Sequence, residues 1–169
     1  MNHAKVLSLE EAVNDNLDEF IKDYYEDTYN VYVPKRKFFK EPRFLVVEDD
    51  LTYKPLWDFI LRKVDKDFTY DWVASVDEAE KMISSAFKSN KPYDLIICDI
   101  FLEGSQTGLD LWRKHGLVYN NMLMVSNIDY EQLIKNLRDE VYIPPYLKKP
   151  LSVDESVKAI NKSLLMSYF

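Results

Sequence analysis

Polar and charged side chains stand at the ends of four short apolar segments in this sequence. In chain order they are Glu48 and Asp49, then Asp99, then Ser126, then Lys149. Carboxylates that lie close together raise one another's pKa unless a cation lies among them. Mg²⁺ takes oxygen ligands and commonly binds one or two carboxylates together with phosphate oxygens. If the fold brings these residues together, they predict a magnesium-dependent site for phosphoryl transfer.

Each of these groups has a separate chemical task in such a site. A carboxylate beside a bound metal ion can act as a nucleophile toward phosphorus and form an aspartyl phosphate. Phosphoryl transfer otherwise needs mainly positioning and neutralisation of the charge on the transferred oxygens. The metal ion can neutralise one oxygen, the Lys149 ammonium can neutralise a second, and the Ser126 hydroxyl can donate a hydrogen bond to a third.

The segments that carry these residues have the pattern of a parallel α/β sheet. The run at residues 43–47 is continuously apolar, as is typical of strands buried on both faces. The sequence predicts strands at residues 43–47, 68–73, 93–98, 122–125 and 146–149, and helices at residues 55–64, 79–87, 107–115, 129–141 and 152–168. Five strands alternating with five helices predict a parallel sheet with helices on both faces. The carboxyl ends of such strands share one rim, where functional groups gather.

The first 42 residues are predicted to lie outside this sheet. Ser8 and Glu11 fit a helix-capping box. Apolar residues then recur at helical spacing, which predicts an amphipathic helix over residues 9–27. Residues 30–42 are aromatic and basic, and we interpret them as a connector. We therefore expect a helical extension at residues 1–42 and an α/β domain at residues 43–169.

The composition limits the kinds of partner and compartment. The net charge of -7 argues against a uniformly basic nucleic-acid-binding surface. The basic and aromatic run at residues 35–40 could attract nucleic acid or anionic lipid, but a packed linker is the simpler interpretation. Cys98 is the single cysteine, which excludes an intrachain disulfide, and we interpret it as a small buried hydrophobe. The chain has no apolar segment long enough to cross a bilayer and no secretory signal, so we expect a cytoplasmic protein.

The order and spacing of these residues resemble the receiver domains of bacterial two-component response regulators. The resemblance spans residues 43–165. It rests on Glu48-Asp49 after the first strand, Asp99 after the third, Ser126 after the fourth and the Lys149-Pro150 dipeptide after the fifth. It implies a flavodoxin-like sheet with strand order 2-1-3-4-5, as in the chemotaxis receiver.

The resemblance also implies a metal site. Asp99 would be the phosphoacceptor. Asp49, Asp99 and the backbone carbonyl of Phe101 would bind Mg²⁺ directly, and Glu48 would act through a bound water. These assignments come from the family and are expectations for this chain.

The remaining family roles concern the phosphoryl group and the response to it. Ser126 and Lys149 would bind the phosphoryl oxygens. Tyr146 matches the switch aromatic, whose ring turns inward when the hydroxyl residue moves toward the phosphate. That movement repositions the surface made by the fourth helix, fifth strand and fifth helix.

The resemblance further implies a signalling function without ordinary enzymatic turnover. The protein would catalyse only its own phosphorylation and dephosphorylation. A histidine kinase or a histidine phosphotransfer protein would be one partner, and a downstream protein effector another. Because the chain ends at Phe169, just after the last predicted helix, we expect a stand-alone receiver whose output is protein contact. We expect no nucleic-acid binding and no membrane insertion. A dimer could form through the N-terminal helix or through the face of helix 4, strand 5 and helix 5.

Several residues depart from the family pattern. Glu103 stands where a proline is usual, and the loop to Gly108 is one residue longer than the commonest form. Asn127 stands where a small residue is usual, which would narrow access for phosphodonors. Phe101 and Ile128 occupy positions that influence hydrolysis in the family. Because both are apolar and cannot orient an attacking water, we expect slow loss of phosphate.

Two alternative functions remain open from the sequence. A pseudo-receiver would use the fold only as an interaction scaffold. The long loop and Asn127 leave this alternative open, whereas the presence of Glu48, Asp49, Asp99, Ser126 and Lys149 argues against it. A haloacid-dehalogenase-like phosphatase would also use an aspartate nucleophile, Mg²⁺, a hydroxyl and a lysine. That family needs a second acid two residues after the nucleophile, where this chain has Phe101, and the order of its motifs differs.

Overall fold

The structure is a computed structural model that describes residues 41–116, 121–137, 140 and 143–166. The chain divides into two units, Met1–Lys40 and Glu41–Phe169. The first unit lies outside the described residues, and so do the predicted helix at 9–27 and nearly all of the predicted connector. The division of the chain into an extension and a receiver domain therefore stays a prediction.

The described residues form one parallel sheet of five strands in the order β2-β1-β3-β4-β5. The strands are β1 (Arg43–Val47), β2 (Thr69–Val73), β3 (Leu95–Asp99), β4 (Met122–Ser126) and β5 (Tyr146–Lys148). Val47 pairs with Cys98, Asp99 with Val125, and Ser126 with Lys148. The predicted flavodoxin-like α/β fold is confirmed, and each strand lies within two residues of its predicted bounds.

Among the residues that the structure describes, five helices connect or follow these strands. They are α1 (Lys54–Val64), α2 (Val76–Lys88), α3 (Gly108–Leu111), α4 (Tyr130–Asn136) and α5 (Val153–Met166). A 3₁₀ turn, Leu51–Tyr53, precedes α1. The predicted helix at 107–115 is an α-helix of 4 residues that continues as a π-helical turn, Trp112–Gly116. Gly116 packs directly against the buried Trp112 indole. A Cβ at position 116 would lie 2.2 Å from Trp112 Cδ1, so the π-helical turn has no room for a side chain at its last residue.

The sheet is buried on both faces because β1, β3 and β4 are mostly apolar and successive side chains along a strand point to opposite faces. One face packs against α2 and α3 through Leu45, Val47, Ile96, Cys98 and Met124. The other face carries Phe44, Val46, Leu95, Ile97 and Leu123, which are buried with residues of α1 and α5. This burial fixes the strand register, and the register fixes which residues stand at the carboxyl rim.

Side-chain caps set where three helices begin. Ser75 Oγ accepts from the Glu78 amide at 3.3 Å, and the Glu78 carboxylate accepts from the Ala74 amide at 3.0 Å. Reciprocal capping boxes of Thr107 with Asp110 and of Asp129 with Gln132 begin α3 and α4. The caps lie in the loops that follow β2, β3 and β4. Because each cap fixes where its helix begins, it also fixes where the preceding loop ends.

Candidate functional site

The carboxyl rim of the sheet brings together the residues that the sequence placed at strand ends. Glu48 follows β1, Asp99 ends the neighbouring β3, Ser126 ends β4, and Lys149 follows β5. Glu48, Asp99 and Ser126 are buried, with exposed fractions of 2%, 7% and 0%. Burying a polar group costs free energy unless it is paired. The burial of these three residues therefore distinguishes the rim from a solvated loop and indicates a functional site.

Lys149 joins two strand ends across the rim. Its Nζ donates to Glu48 Oε2 at 2.6 Å and to Asp99 Oδ2 at 2.6 Å. Its backbone amide donates to the Ser126 carbonyl at 2.6 Å, and the Lys149–Pro150 peptide bond is cis. The lysine side chain is only 10% exposed, so the ammonium and both carboxylates share a largely dry pocket.

Burial and neighbouring charges shift the pKa values of Glu48 and Lys149. Burial raises the pKa of Glu48 above its usual value, and the nearby Asp99 charge acts in the same direction, while the hydrogen bond from Lys149 opposes them. Burial alone would lower the pKa of Lys149, but the hydrogen bonds and charges of Asp99 and Glu48 outweigh it and raise that pKa. Lys149 therefore stays an ammonium, which is the form that can neutralise a phosphoryl oxygen.

Glu48, Asp49 and Asp99 form an acidic cluster with the donor chemistry of a hard-cation site. Each offers one carboxylate oxygen, and these oxygens lie within 4.8 Å of one another. Such a set of oxygens suits Mg²⁺, which keeps several waters and takes few direct carboxylates. Phe101 lies two residues beyond Asp99 and is 52% exposed. The ligand role of its carbonyl stays a prediction.

Backbone amides hold all three carboxylates in place. Asp50 donates to Glu48 Oε1 at 3.3 Å, Phe101 donates to Asp99 Oδ1 at 3.0 Å, and Glu103 donates to Asp49 Oδ2 at 3.0 Å. The last of these bonds exists because residue 103 has an amide hydrogen, which a proline would lack. The departure from the family pattern at Glu103 thus has a direct structural consequence for Asp49.

Asp50, the third member of the acidic run, has a structural task. Its Oδ1 accepts from the Thr52 amide at 2.9 Å and from Thr52 Oγ1 at 2.6 Å, which caps the 3₁₀ turn Leu51–Tyr53. These hydrogen bonds also lower the pKa of Asp50. The turn places the Tyr53 ring with its centroid 4.1 Å from Lys149 Nζ. The sequence pattern gave no role to Tyr53, although an aspartate two residues before a threonine is a recognisable turn signal.

Gly108 allows the loop after β3 to return to the strand that carries Asp99. A Cβ at position 108 would lie 2.0 Å from the Asp99 carbonyl oxygen. The Gly108 amide donates to the Ile100 carbonyl at 2.9 Å. Cys98, beside this contact, is fully buried as expected, and burial raises the pKa of its thiol strongly.

Ser126 and Tyr146 lie on adjacent strands beside the acidic cluster. Ser126 Oγ is buried and has no hydrogen-bond partner among the residues that the structure describes. The Tyr146 hydroxyl lies 3.2 Å from the Ser126 carbonyl and also contacts the Ile128 carbonyl. Burial first, and then the charges of Asp129 and Asp99, raise the pKa of Tyr146. Asn127, between the two carbonyls, is exposed.

Comparison with solved structures identifies the class of fold. The chain is similar to a two-component response regulator from Clostridium difficile, with 25% identity, a TM-score of 0.57, and 74% of this chain and 96% of that chain covered. It is also similar to a signal receiver domain of an HD domain-containing protein from Pseudomonas fluorescens Pf-5, with 20% identity, a TM-score of 0.61, and 82% and 95% covered. A response regulator receiver protein from Sinorhizobium medicae WSM419 matches at 21% identity, with a TM-score of 0.58 and 75% and 96% covered.

These similarities confirm the resemblance at the level of the fold. The described residues have the fold of response-regulator receiver domains, and they place acidic, hydroxyl and lysine side chains at its carboxyl rim. No protein-family model and no curated protein sequence matches the chain. Within the described ranges, no helix is long and apolar enough to cross a membrane.

Proposed function

We propose that this protein is a signalling receiver in which Asp99 accepts a phosphoryl group with the help of Mg²⁺. The observation that carries the proposal is the position of the Lys149 ammonium, 2.6 Å from both Glu48 and Asp99. A largely shielded lysine that contacts two carboxylates can exchange one of them for a phosphoryl oxygen. The buried Ser126 hydroxyl, without a partner among the described residues, supplies a second phosphate contact.

The proposed metal ligands are Asp49, Asp99 and the Phe101 carbonyl, with Glu48 acting through water. When bound there, Mg²⁺ supplies positive charge to the phosphoryl oxygens. The amide hydrogen bonds from Asp50, Phe101 and Glu103 orient the three carboxylates before the ion arrives. Such supporting contacts strengthen a metal site because they fix the direction of its ligands.

The transfer itself uses residues of this chain in fixed roles. An Asp99 carboxylate oxygen attacks phosphorus, and the new O–P bond forms as the bond from phosphorus to the donor breaks. The leaving group departs with the bonding electron pair. Lys149 moves from the Asp99 carboxylate to one phosphoryl oxygen, and Ser126 donates its hydroxyl hydrogen to another. Both contacts strengthen as charge develops, which is how such groups lower the barrier.

The response to phosphorylation is proposed to pass through Ser126 and Tyr146. Movement of Ser126 toward the phosphate shifts the Ser126 carbonyl, which lies 3.2 Å from the Tyr146 hydroxyl. The ring centroids of Tyr146 and of Tyr130 in α4 are 6.2 Å apart. Tyr146 therefore connects the site to the α4 surface. If the phosphate contacts favour one of two arrangements of Ser126 and Tyr146, phosphorylation increases the population of the matching conformation of the α4 surface.

The partners follow from this role. A histidine kinase or a histidine phosphotransfer protein supplies the phosphoryl group in the cytoplasm, and a protein effector reads the changed surface. Nucleic-acid binding and membrane insertion have no place in the proposal. A dimer through the N-terminal helix, or through α4, β5 and α5, would provide an alternative output.

A pseudo-receiver is the second candidate, and one exposed side chain favours it. Asn127 follows the buried Ser126 and is larger than the residue usual at that position in receivers, which would narrow access for phosphodonors. Phe101, by contrast, is apolar where a haloacid-dehalogenase-like phosphatase needs its second acid.

The test is incubation with acetyl phosphate, with and without Mg²⁺, followed by mass spectrometry and peptide mapping. We expect one Mg²⁺-dependent phosphoryl group on Asp99 and none on an Asp99→Asn variant. Absence of modification at saturating Mg²⁺ contradicts the proposal and favours the pseudo-receiver. Steady turnover of a chromogenic phosphate ester would favour the phosphatase.

A further inference from the structure

The ring of Tyr53 lies against the ammonium of Lys149. The ring centroid is 4.1 Å from Lys149 Nζ, and the same nitrogen donates to Glu48 and Asp99 at 2.6 Å each. An ammonium has three N–H groups, so two carboxylates leave one side of it for the aromatic face. With only 10% of the lysine side chain exposed, water competes weakly for this contact. A cation–π interaction is stronger when it is desolvated in this way.

The turn that carries Tyr53 is fixed by its own hydrogen bonds. Asp50 Oδ1 accepts from Thr52 at its amide and its hydroxyl, and the Tyr53 amide donates to the Asp50 carbonyl at 3.1 Å. The helix α1 begins at the next residue, Lys54, and has Pro55 in its first turn. The backbone at Tyr53 is therefore held between a capped turn and a helix, and its hydrogen bond to Asp50 does not involve Asp99.

We infer that Tyr53 is a positioning residue that holds the Lys149 ammonium in the pocket during phosphoryl transfer. The inference rests on the proposed function. During transfer Lys149 leaves Asp99 for a phosphoryl oxygen, and it then loses one of the two carboxylate contacts that now restrain it. The aromatic face stays in contact with the ammonium through this exchange. Because the ring carries no formal charge, it competes neither for the metal ion nor for the phosphoryl group.

The matched variants are Tyr53→Phe, which keeps the aromatic face, and Tyr53→Leu, which keeps apolar bulk without it. We expect Tyr53→Phe to be phosphorylated by acetyl phosphate at close to the wild-type rate at saturating Mg²⁺. We expect Tyr53→Leu to react about 3- to 10-fold more slowly. Equal rates for all three proteins, or equal losses in both variants, would overturn the inference. Circular dichroism confirms that each variant is folded.

A double-mutant cycle separates an effect through Lys149 from simple packing. Beryllofluoride affinity is measured by ¹⁹F NMR at saturating Mg²⁺ in Lys149→Met with and without Tyr53→Leu. If Tyr53 acts through the ammonium, its loss changes affinity in the wild-type background but not in Lys149→Met. The same loss in both backgrounds would show that the ring only packs and would refute the positioning role.

The outcome for wild type distinguishes this inference from the proposed function. A wild-type protein that takes up neither phosphate nor beryllofluoride refutes the proposed function, and the role of Tyr53 fails with it. A wild-type protein that is modified at Asp99, with Tyr53→Leu equally active, refutes only the role of Tyr53.

Discussion

The backbone amide of Glu103 donates to Asp49 Oδ2 at 3.0 Å and so ties the loop after β3 to the acidic side chain after β1. These residues are 54 positions apart in the sequence. The bond holds one oxygen of the Asp49 carboxylate in place. It orients the carboxylate of a proposed metal ligand, and it requires a residue with an amide hydrogen at position 103.

The Glu103 amide is therefore expected to support Mg²⁺ binding. A Glu103→Pro variant loses the amide hydrogen, and Glu103→Ala keeps it while losing the carboxylate. Supporting contacts of this kind change metal affinity by roughly 10- to 100-fold, so we expect Glu103→Pro to bind Mg²⁺ about 10-fold more weakly. We expect Glu103→Ala to bind like wild type. Isothermal titration of the unphosphorylated proteins measures both, and equal affinity in the two variants would contradict the role of the amide.

Gly108 is expected to be required for stability because no side chain fits there. Its Cβ would lie 2.0 Å from the Asp99 carbonyl, which is backbone and cannot move aside cheaply. We expect Gly108→Ala to lower the free energy of unfolding by about 2–4 kcal/mol in urea denaturation. Gly104 is the matched control: it has a φ of +125° and open space around it, so Gly104→Ala suffers only backbone strain. A Gly108→Ala loss no larger than the Gly104→Ala loss would count against the steric explanation.

Asp110 is expected to make stability depend on pH. Hydrogen bonds from the Thr107 amide and hydroxyl lower the pKa of Asp110 below its usual value of 3.8. A depressed folded-state pKa contributes stability that is present above pH 3.8 and is lost as the pH falls through the folded-state value. Because the carboxylate stands in the first turn of α3, we expect Asp110→Asn to cost ~0.3–1 kcal/mol at neutral pH.

The corresponding measurement is urea denaturation of wild type and Asp110→Asn across a pH series. The difference between the two proteins should be constant near neutral pH and shrink as the pH falls below 3.8. A difference that stays the same at acid pH would mean that the carboxylate charge contributes nothing. Thr107→Val, which removes the donor hydroxyl, should reduce the pH dependence without abolishing it.

Slow hydrolysis of the phosphorylated form is expected from Phe101. Its side chain is 52% exposed beside the site and has no group that can orient water toward phosphorus. We expect a phosphoryl half-life of minutes or longer, and we expect Phe101→Asn to shorten it because an amide can hold the attacking water. Phe101→Leu controls for the loss of the ring alone and should keep the long half-life. A wild-type half-life of seconds would refute this prediction.

The strands and the clustering of the site were predictable from sequence, whereas its supporting contacts were not. Continuous apolar runs and right-handed parallel connections placed Glu48, Asp99, Ser126 and Lys149 on one rim. Tyr53 and Glu103 could not be found in this way, because their contacts depend on turn geometry and on distances between remote segments. The π-helical turn at Trp112 was likewise hidden, since its apolar spacing is that of an ordinary helix.

The central claim is that Asp99, Lys149 and Ser126 hold one phosphoryl group. The most direct measurement is a crystal structure of the protein with Mg²⁺ and beryllofluoride, which mimics a phosphoryl group on aspartate. We expect beryllofluoride on the Asp99 carboxylate, with Lys149 Nζ on one fluorine and Ser126 Oγ on another. Lys149 would then have left Asp99. A structure at saturating ligand with no beryllofluoride on Asp99, and with Lys149 still bound to both Glu48 and Asp99, would refute the proposed phosphoryl site.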